Sequence, residues 1–123
     1  MAPKPLGVLL MSGGHERAHY AFMVAVAAAA MGRPVVLFAT NEGCRALTPE
    51  MADDPREAKV IATGVAGLAE LREAANELGT RLMACESGLR MAGLDAGALL
   101  KGVEVSGLTA FLSAVGEGAV ITL

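Results

Sequence analysis

Tryptophan is absent from this chain, tyrosine occurs once and phenylalanine three times. Its core must therefore be built from Ala, Val, Leu and Met, whose small side chains favour close helix–sheet packing and tight subunit contacts. Cysteine occurs twice in 123 residues, which excludes a disulfide scaffold. Two thiols fit a reducing cytoplasm, each kept for reactivity or as a small apolar residue. No secretory signal is evident at the N-terminus. A basic stripe is also missing, and the formal net charge is −3, which argues against nucleic acid or an anionic membrane as the main partner. The longest unbroken apolar run, residues 21–31, is too short to span a bilayer. Two Cys and two His without close pairing make no metal set, and no cofactor motif is present: neither GxGxxG nor a P-loop occurs.

Hydrophobic residues make up 54% of the chain and charged residues 19%, enough to bury a core as one domain over residues 1–123. Residues 6–11 form a continuous apolar run between Pro5 and Ser12-Gly13-Gly14, the pattern of a strand buried on both faces of a parallel sheet. Residues 18–31 read as a helix stopped by Gly32 and Pro34. Between 21 and 31 it has no polar side chain, so it should be buried on every side, one of them against another subunit. Residues 35–39 give a second strand and complete a βαβ unit.

One helical turn is expected over Cys44-Arg45-Ala46-Leu47. Residues 48–64 read as an irregular surface excursion or lid, with 59–62 a possible edge strand. An amphipathic helix follows over 65–78, then a strand over 80–84. Residues 88–91 form a short helix broken by Gly93, and Asp95 caps a further turn. A short strand over 103–105, a helix over 106–115 and a strand over 119–123 end the chain.

The strand over 80–84 delivers Cys85. Sites in open α/β sheets gather at the carboxyl ends of strands. A thiol at a helix N-terminus ionises more easily than a free one, and the thiolate is the reactive form. Ser87 and Gly88 leave backbone N–H groups accessible, and Arg90 adds positive charge, whereas the adjacent Glu86 opposes ionisation. The plain alternative is a buried structural cysteine. Cys44, after the second strand, is either a resolving thiol for Cys85 or an apolar filler. Ser12, Gly13 and Gly14 form either an anion- or substrate-binding loop or a tight turn. His15 and His19 are the chain's two imidazoles, the side chain suited to proton exchange, and His15 is an accessory candidate for the Cys85 site.

Ala84-Cys85, Gly93 eight residues after the cysteine, Gly102-Val103 and Ser106-Gly107-Leu108 together resemble the DsrE/DsrF/TusD family of sulfur-relay proteins. The opening strand, the Ala-rich first helix and the tract Val36-Leu37-Phe38-Ala39-Thr40-Asn41-Glu42-Gly43 resemble it too. The resemblance implies a three-layer α/β/α sandwich with a mainly parallel five-stranded sheet. It implies a homo-oligomer, trimeric or hexameric. It also implies a cytoplasmic sulfurtransferase that carries sulfur as a persulfide on Cys85 between donor and acceptor proteins. Relay members often have two arginines just before the glycine; here Arg90 lies earlier and Met91-Ala92 take that place. Cys44 stands where relatives usually have a small apolar residue. An oligomeric scaffold without enzymatic activity is the alternative on the same fold, and a nucleotide or small-anion binder using Gly13-Gly14 is a third reading.

Overall fold

The computed structural model describes residues 2–123. In chain order it has β1 (Leu6–Leu10), α1 (His15–Ala30), β2 (Val35–Ala39), α2 (Pro55–Ala62) and α3 (Leu68–Glu77). Then come β3 (Arg81–Cys85), α4 (Glu86–Ala92), β4 (Glu104–Ser106), α5 (Leu108–Val115) and β5 (Ala119–Thr122). The strands form one sheet in the order β4-β3-β2-β1-β5, and every pairing is parallel. Helical crossovers impose that geometry, since parallel neighbours cannot be joined by a tight turn.

Successive side chains of a strand point to opposite faces, and both faces are covered. Leu6, Val8, Leu37, Leu82 and Ala84 pack with Ala18, Ala21, Phe22 and Ala25 of α1 and with Leu68, Leu71 and Ala75 of α3. The intervening residues Val36, Phe38, Met83 and Cys85 pack with Phe111 and Val115 of α5. Phe38 and Phe111 stack with centroids 5.0 Å apart. Gly7 of β1 lets α5 descend onto the sheet: a Cβ there would lie 2.6 Å from Val115 Cγ2. The result is an α/β/α sandwich with one thin layer, α5 alone.

Helix α1, expected to be buried on every side with one of them against another subunit, buries a single face within its own chain. Its buried residues, His15, Ala18, Ala21, Phe22, Ala25 and Ala28, form one face. On the other side Tyr20 is exposed, and Met23, Val24 and Val26 are only partly covered.

Residues 48–64 are a folded connection rather than an irregular excursion. A 3-10 helix spans Pro49–Asp53, and 59–62 lie in α2, not in an edge strand. Asp54 decides this by accepting the Arg56 N–H at 2.8 Å as N-cap, and Pro55 takes the first helical position, where its missing N–H costs nothing. The preceding turn is also longer than expected, a 3-10 helix over Asn41–Leu47. Two arginines tie this region down. Arg72, buried in α3, donates from Nη1 to the carbonyls of Ala46 and Thr48 at 2.9 and 2.8 Å. Arg45 pairs with Glu42 and Glu50 and donates to the Ala92 carbonyl at 3.0 Å.

Glu57 of α2 is the internal clamp. Its carboxylate accepts from the Leu68 and Ala69 N–H groups at 2.8 and 3.0 Å, capping α3, and meets His15 Nε2 at 2.7 Å. Burial alone would raise its pKa. The hydrogen bonds from Ala69, His15 and Leu68 outweigh that and hold the carboxyl below its ordinary 4.5. A depressed carboxylate pKa stabilises the fold above its unfolded value, and the contribution disappears as pH falls through the folded value. Wild type should therefore lose stability below pH 4.5 more steeply than Glu57→Gln. At neutral pH that variant should be less stable by about 2 kcal/mol. Urea melts across the acid range measure both; parallel acid limbs would contradict the clamp.

Candidate functional site

Strand β3 ends at Cys85 and α4 begins at Glu86, so Cys85 is the N-cap of that helix. Its sulfur accepts the Gly88 N–H at 3.4 Å, occupying the place where an oxygen usually caps. The first turn of α4 reaches this position because residue 88 has no side chain. A Cβ there would collide with the Asn41 backbone nitrogen and lie 2.6 Å from Thr40 Oγ1. Asn41 itself adopts φ 52°, a left-handed conformation that Asn tolerates. Gly43 donates to the carbonyls of Met11 and Thr40 at 3.0 and 2.9 Å. The ends of β1, β2 and β3 are thus laced together at one rim of the sheet.

Cys85 is 8% exposed and packs with Phe38, Met83 and Phe111. Helix α5, settled over that face, narrows the exposure of the sulfur. Ser106 of β4 stands directly opposite Cys85 in the parallel register. Its hydroxyl is buried and has no hydrogen-bond partner. Sequence reading passed over Ser106 as a site residue. The Val-Ser-Gly ending of β4 was the available signal, but only the register sets that serine beside the cysteine.

The accessory candidates are dispersed. Arg90 is exposed and pairs with Glu86 at 3.2 Å, so the two charges offset each other and the guanidinium makes no bond to the Cys85 sulfur. His15 is buried on the α1 side, held by Glu57 and stacked on His19 with ring centroids 5.8 Å apart. His19 Nε2 bonds the Ala66 carbonyl at 2.8 Å. Neither imidazole serves the Cys85 sulfur. In the loop after β1, Ser12 Oγ accepts the Gly14 N–H at 3.4 Å. Gly13 lies against Glu42, whose Cβ would be 2.7 Å from a Cβ at 13. That close approach to Glu42 accounts for a glycine at this position. Two surface hollows, of about 410 and 460 Å³, border α3. Glu57 and Gly64 line the first, Arg72, Asn76 and Lys101 the second, and no cysteine lines either.

A sequence model of the DsrE/DsrF-like family matches residues 4–123. The chain belongs to that family. Among solved structures it is similar to the YchN protein of E. coli, with a TM-score of 0.74 and 17% identity over 98% of this chain and 99% of that one. It is also similar to MTH1491 of Methanobacterium thermoautotrophicum, a protein of unknown function, with a TM-score of 0.61 and 19% identity over 98% and 99%. No curated protein matches. These likenesses establish a DsrE-like fold. Among the described residues, no helix is long and apolar enough to cross a membrane.

This DsrE/DsrF-like domain carries its second thiol close to the first but turned away from it. Cys44 is fully buried in the core beneath α1, and its thiol donates to the Ala39 carbonyl at 3.5 Å. The Cys44 sulfur also neighbours the Cys85 backbone N–H, while the Cys85 side chain packs on the opposite sheet face. Both thiols are free. Burial pushes the Cys44 thiol from 9.0 up to about 11, so it stays protonated and a poor nucleophile. The packing is that of an apolar filler. In the unfolded chain this thiol ionises first, so its contribution to stability is complete below pH 9.0 and fades as pH rises to about 11. Across that window wild type should lose stability more steeply than Cys44→Ala in denaturant titrations. Equal slopes would show a thiol that ionises as freely in the fold as outside it.

Proposed function

We propose that this chain is a sulfur carrier, holding sulfane sulfur as a persulfide on Cys85 and passing it to a partner thiol. The observation that supports it most is the Cys85 sulfur at the carboxyl end of β3, hydrogen-bonded by the Gly88 N–H, in a chain of the DsrE/DsrF-like family. In the first half-reaction the Cys85 thiolate attacks the outer sulfur of a donor persulfide, R–S–SH. The new S–S bond forms as the old one breaks, and the donor leaves as R–S⁻ with the bonding pair. In the second, an acceptor thiolate takes that outer sulfur and Cys85 leaves as thiolate. Sulfur moves without net oxidation, so a single thiol suffices and Cys44 has no part. With Cys85 8% exposed, each transfer requires a local opening of the rim, a low-energy event compared with global unfolding.

The limited exposure of Cys85 also favours the second reading, an oligomeric scaffold in which this cysteine is structural. One experiment separates them. Wild type incubated with glutathione persulfide should gain the mass of one sulfur atom on the Cys85 peptide, and Cys85→Ser should gain none. No uptake by wild type, or equal uptake by both, would leave the scaffold.

We further propose that the chain is a homo-oligomer of the trimeric or hexameric kind that the family resemblance implies, with sulfur-donor and sulfur-acceptor proteins as its other partners in the cytoplasm. Support comes from Leu108 and Leu112 of α5, 50% and 52% exposed, and from the partly covered outer side of α1. Leaving such apolar surface in water is unfavourable, and a second copy would cover it. Light scattering should give a mass several times 12.5 kDa, reduced by Leu112→Glu. A wild-type monomer at micromolar concentration would overturn this.

A further inference from the structure

A hydroxyl buried without a partner costs free energy, so an orphan that persists in a fold calls for an explanation. Ser106 Oγ is such an orphan. It lies at the end of β4, whose residues pair in parallel register with β3 as Met83 with Glu104, Ala84 with Val105 and Cys85 with Ser106. Registered residues of neighbouring strands point to the same face, with backbones about 4.8 Å apart. The ion pair between Arg81 and Glu104, at 2.8 Å, is consistent with this, because both residues share the parity of Cys85 and Ser106. The hydroxyl and the sulfur are therefore side by side on the α5 face, yet they make no hydrogen bond to each other. The Cys85 sulfur is already engaged by the Gly88 N–H.

We propose that Ser106 is the residue that holds the transferred sulfur: its hydroxyl donates a hydrogen bond to the outer sulfur of the Cys85 persulfide. This rests on the carrier reading above and adds a second residue to it. In the sulfur-free protein the hydroxyl has nothing to bond. When Cys85 attacks R–S–SH, the outer sulfur is set about 2.05 Å from the inner one, within the short span between the two side chains. The donor leaves as R–S⁻ and takes the negative charge with it; the Cys85–S–SH that remains then releases its acidic S–H proton to solvent, and the resulting persulfide anion is the acceptor for the unpartnered Ser106 hydroxyl. The bond neither adds nor removes electrons; it stabilises the anionic persulfide until an acceptor thiolate arrives. Gly88 N–H on the inner sulfur and Ser106 O–H on the outer one then divide the work.

The test compares wild type, Ser106→Ala and Ser106→Thr. Each is loaded with glutathione persulfide, and loss of the Cys85 sulfur to excess small thiol is followed by intact mass. Ser106→Ala should load but lose its sulfur about tenfold faster, the worth of one hydrogen bond to a charged acceptor. Ser106→Thr, which keeps the hydroxyl, should hold sulfur as wild type does. The pH at which the bound persulfide ionises, read from its ultraviolet absorbance, should rise in Ser106→Ala alone. The sulfur-free Ser106→Ala protein should melt at or above the wild-type temperature, since an unpaired buried hydroxyl has been removed. Equal lifetimes in wild type and Ser106→Ala, or a lower melting temperature for sulfur-free Ser106→Ala, would overturn the role of Ser106 while leaving the carrier reading intact. Failure of all three chains to take up sulfur would overturn both.

Discussion

In a parallel sheet covered on both sides, the parity of a residue along its strand decides its surroundings. Here odd and even positions of β3 enter different cores: Leu82 and Ala84 go beneath α1, Met83 and Cys85 beneath α5. The whole chemical layout depends on that alternation. It sends the Cys85 sulfur to the face where Ser106 waits across the register. Cys44 packs in the core on the other side, near the backbone N–H of its fellow cysteine. A slip of one residue in β3 would exchange these partners entirely.

The alternation is useful only if the closed rim returns to one arrangement, and glycine allows the close approaches that define it. Gly88 brings the α4 turn onto the backbone at Thr40 and Asn41, and Gly13 lets the loop after β1 rest on Glu42. Polar clamps complete the frame at a distance. Arg45 links the 3-10 turn to the carboxyl end of α4, Arg72 holds the carbonyls at 46 and 48, and Glu57 joins α2, α3 and His15. These groups, of which only His15 was a site candidate in the bare chain, serve to fix backbone. The titratable groups near the Cys85 sulfur are few, which suits a transfer in which one thiolate replaces another.

Strands in this chain were legible because buried parallel strands are short apolar runs between turn residues, and helices because Gly and Pro mark their ends. Asp95 reads as a cap and is one, accepting the Gly97 N–H at 3.4 Å. The segment 55–62 was misjudged because Pro and Asp signal both loops and helix starts; Asp54 followed by Pro55 is the latter. Cys85 could be picked out because it follows an apolar run and precedes Ser87 and Gly88. Its partner could not, because 18 residues, with α4 and a 3-10 turn among them, separate β3 from β4, and nothing local states which residues will face each other.

Composition, apolar runs and glycine placement by themselves determined an α/β fold with a parallel sheet and a cysteine at a strand's carboxyl end. Those features are local: each is written in a few consecutive residues and their preferred dihedral angles. Tertiary structure alone decided the exposure of Cys85, the burial and protonation of Cys44, the capture of His15 by Glu57 and the pairing of Ser106 with Cys85. Such features arise from contacts between residues distant in the chain, whose register and burial are set only when the layers close on one another.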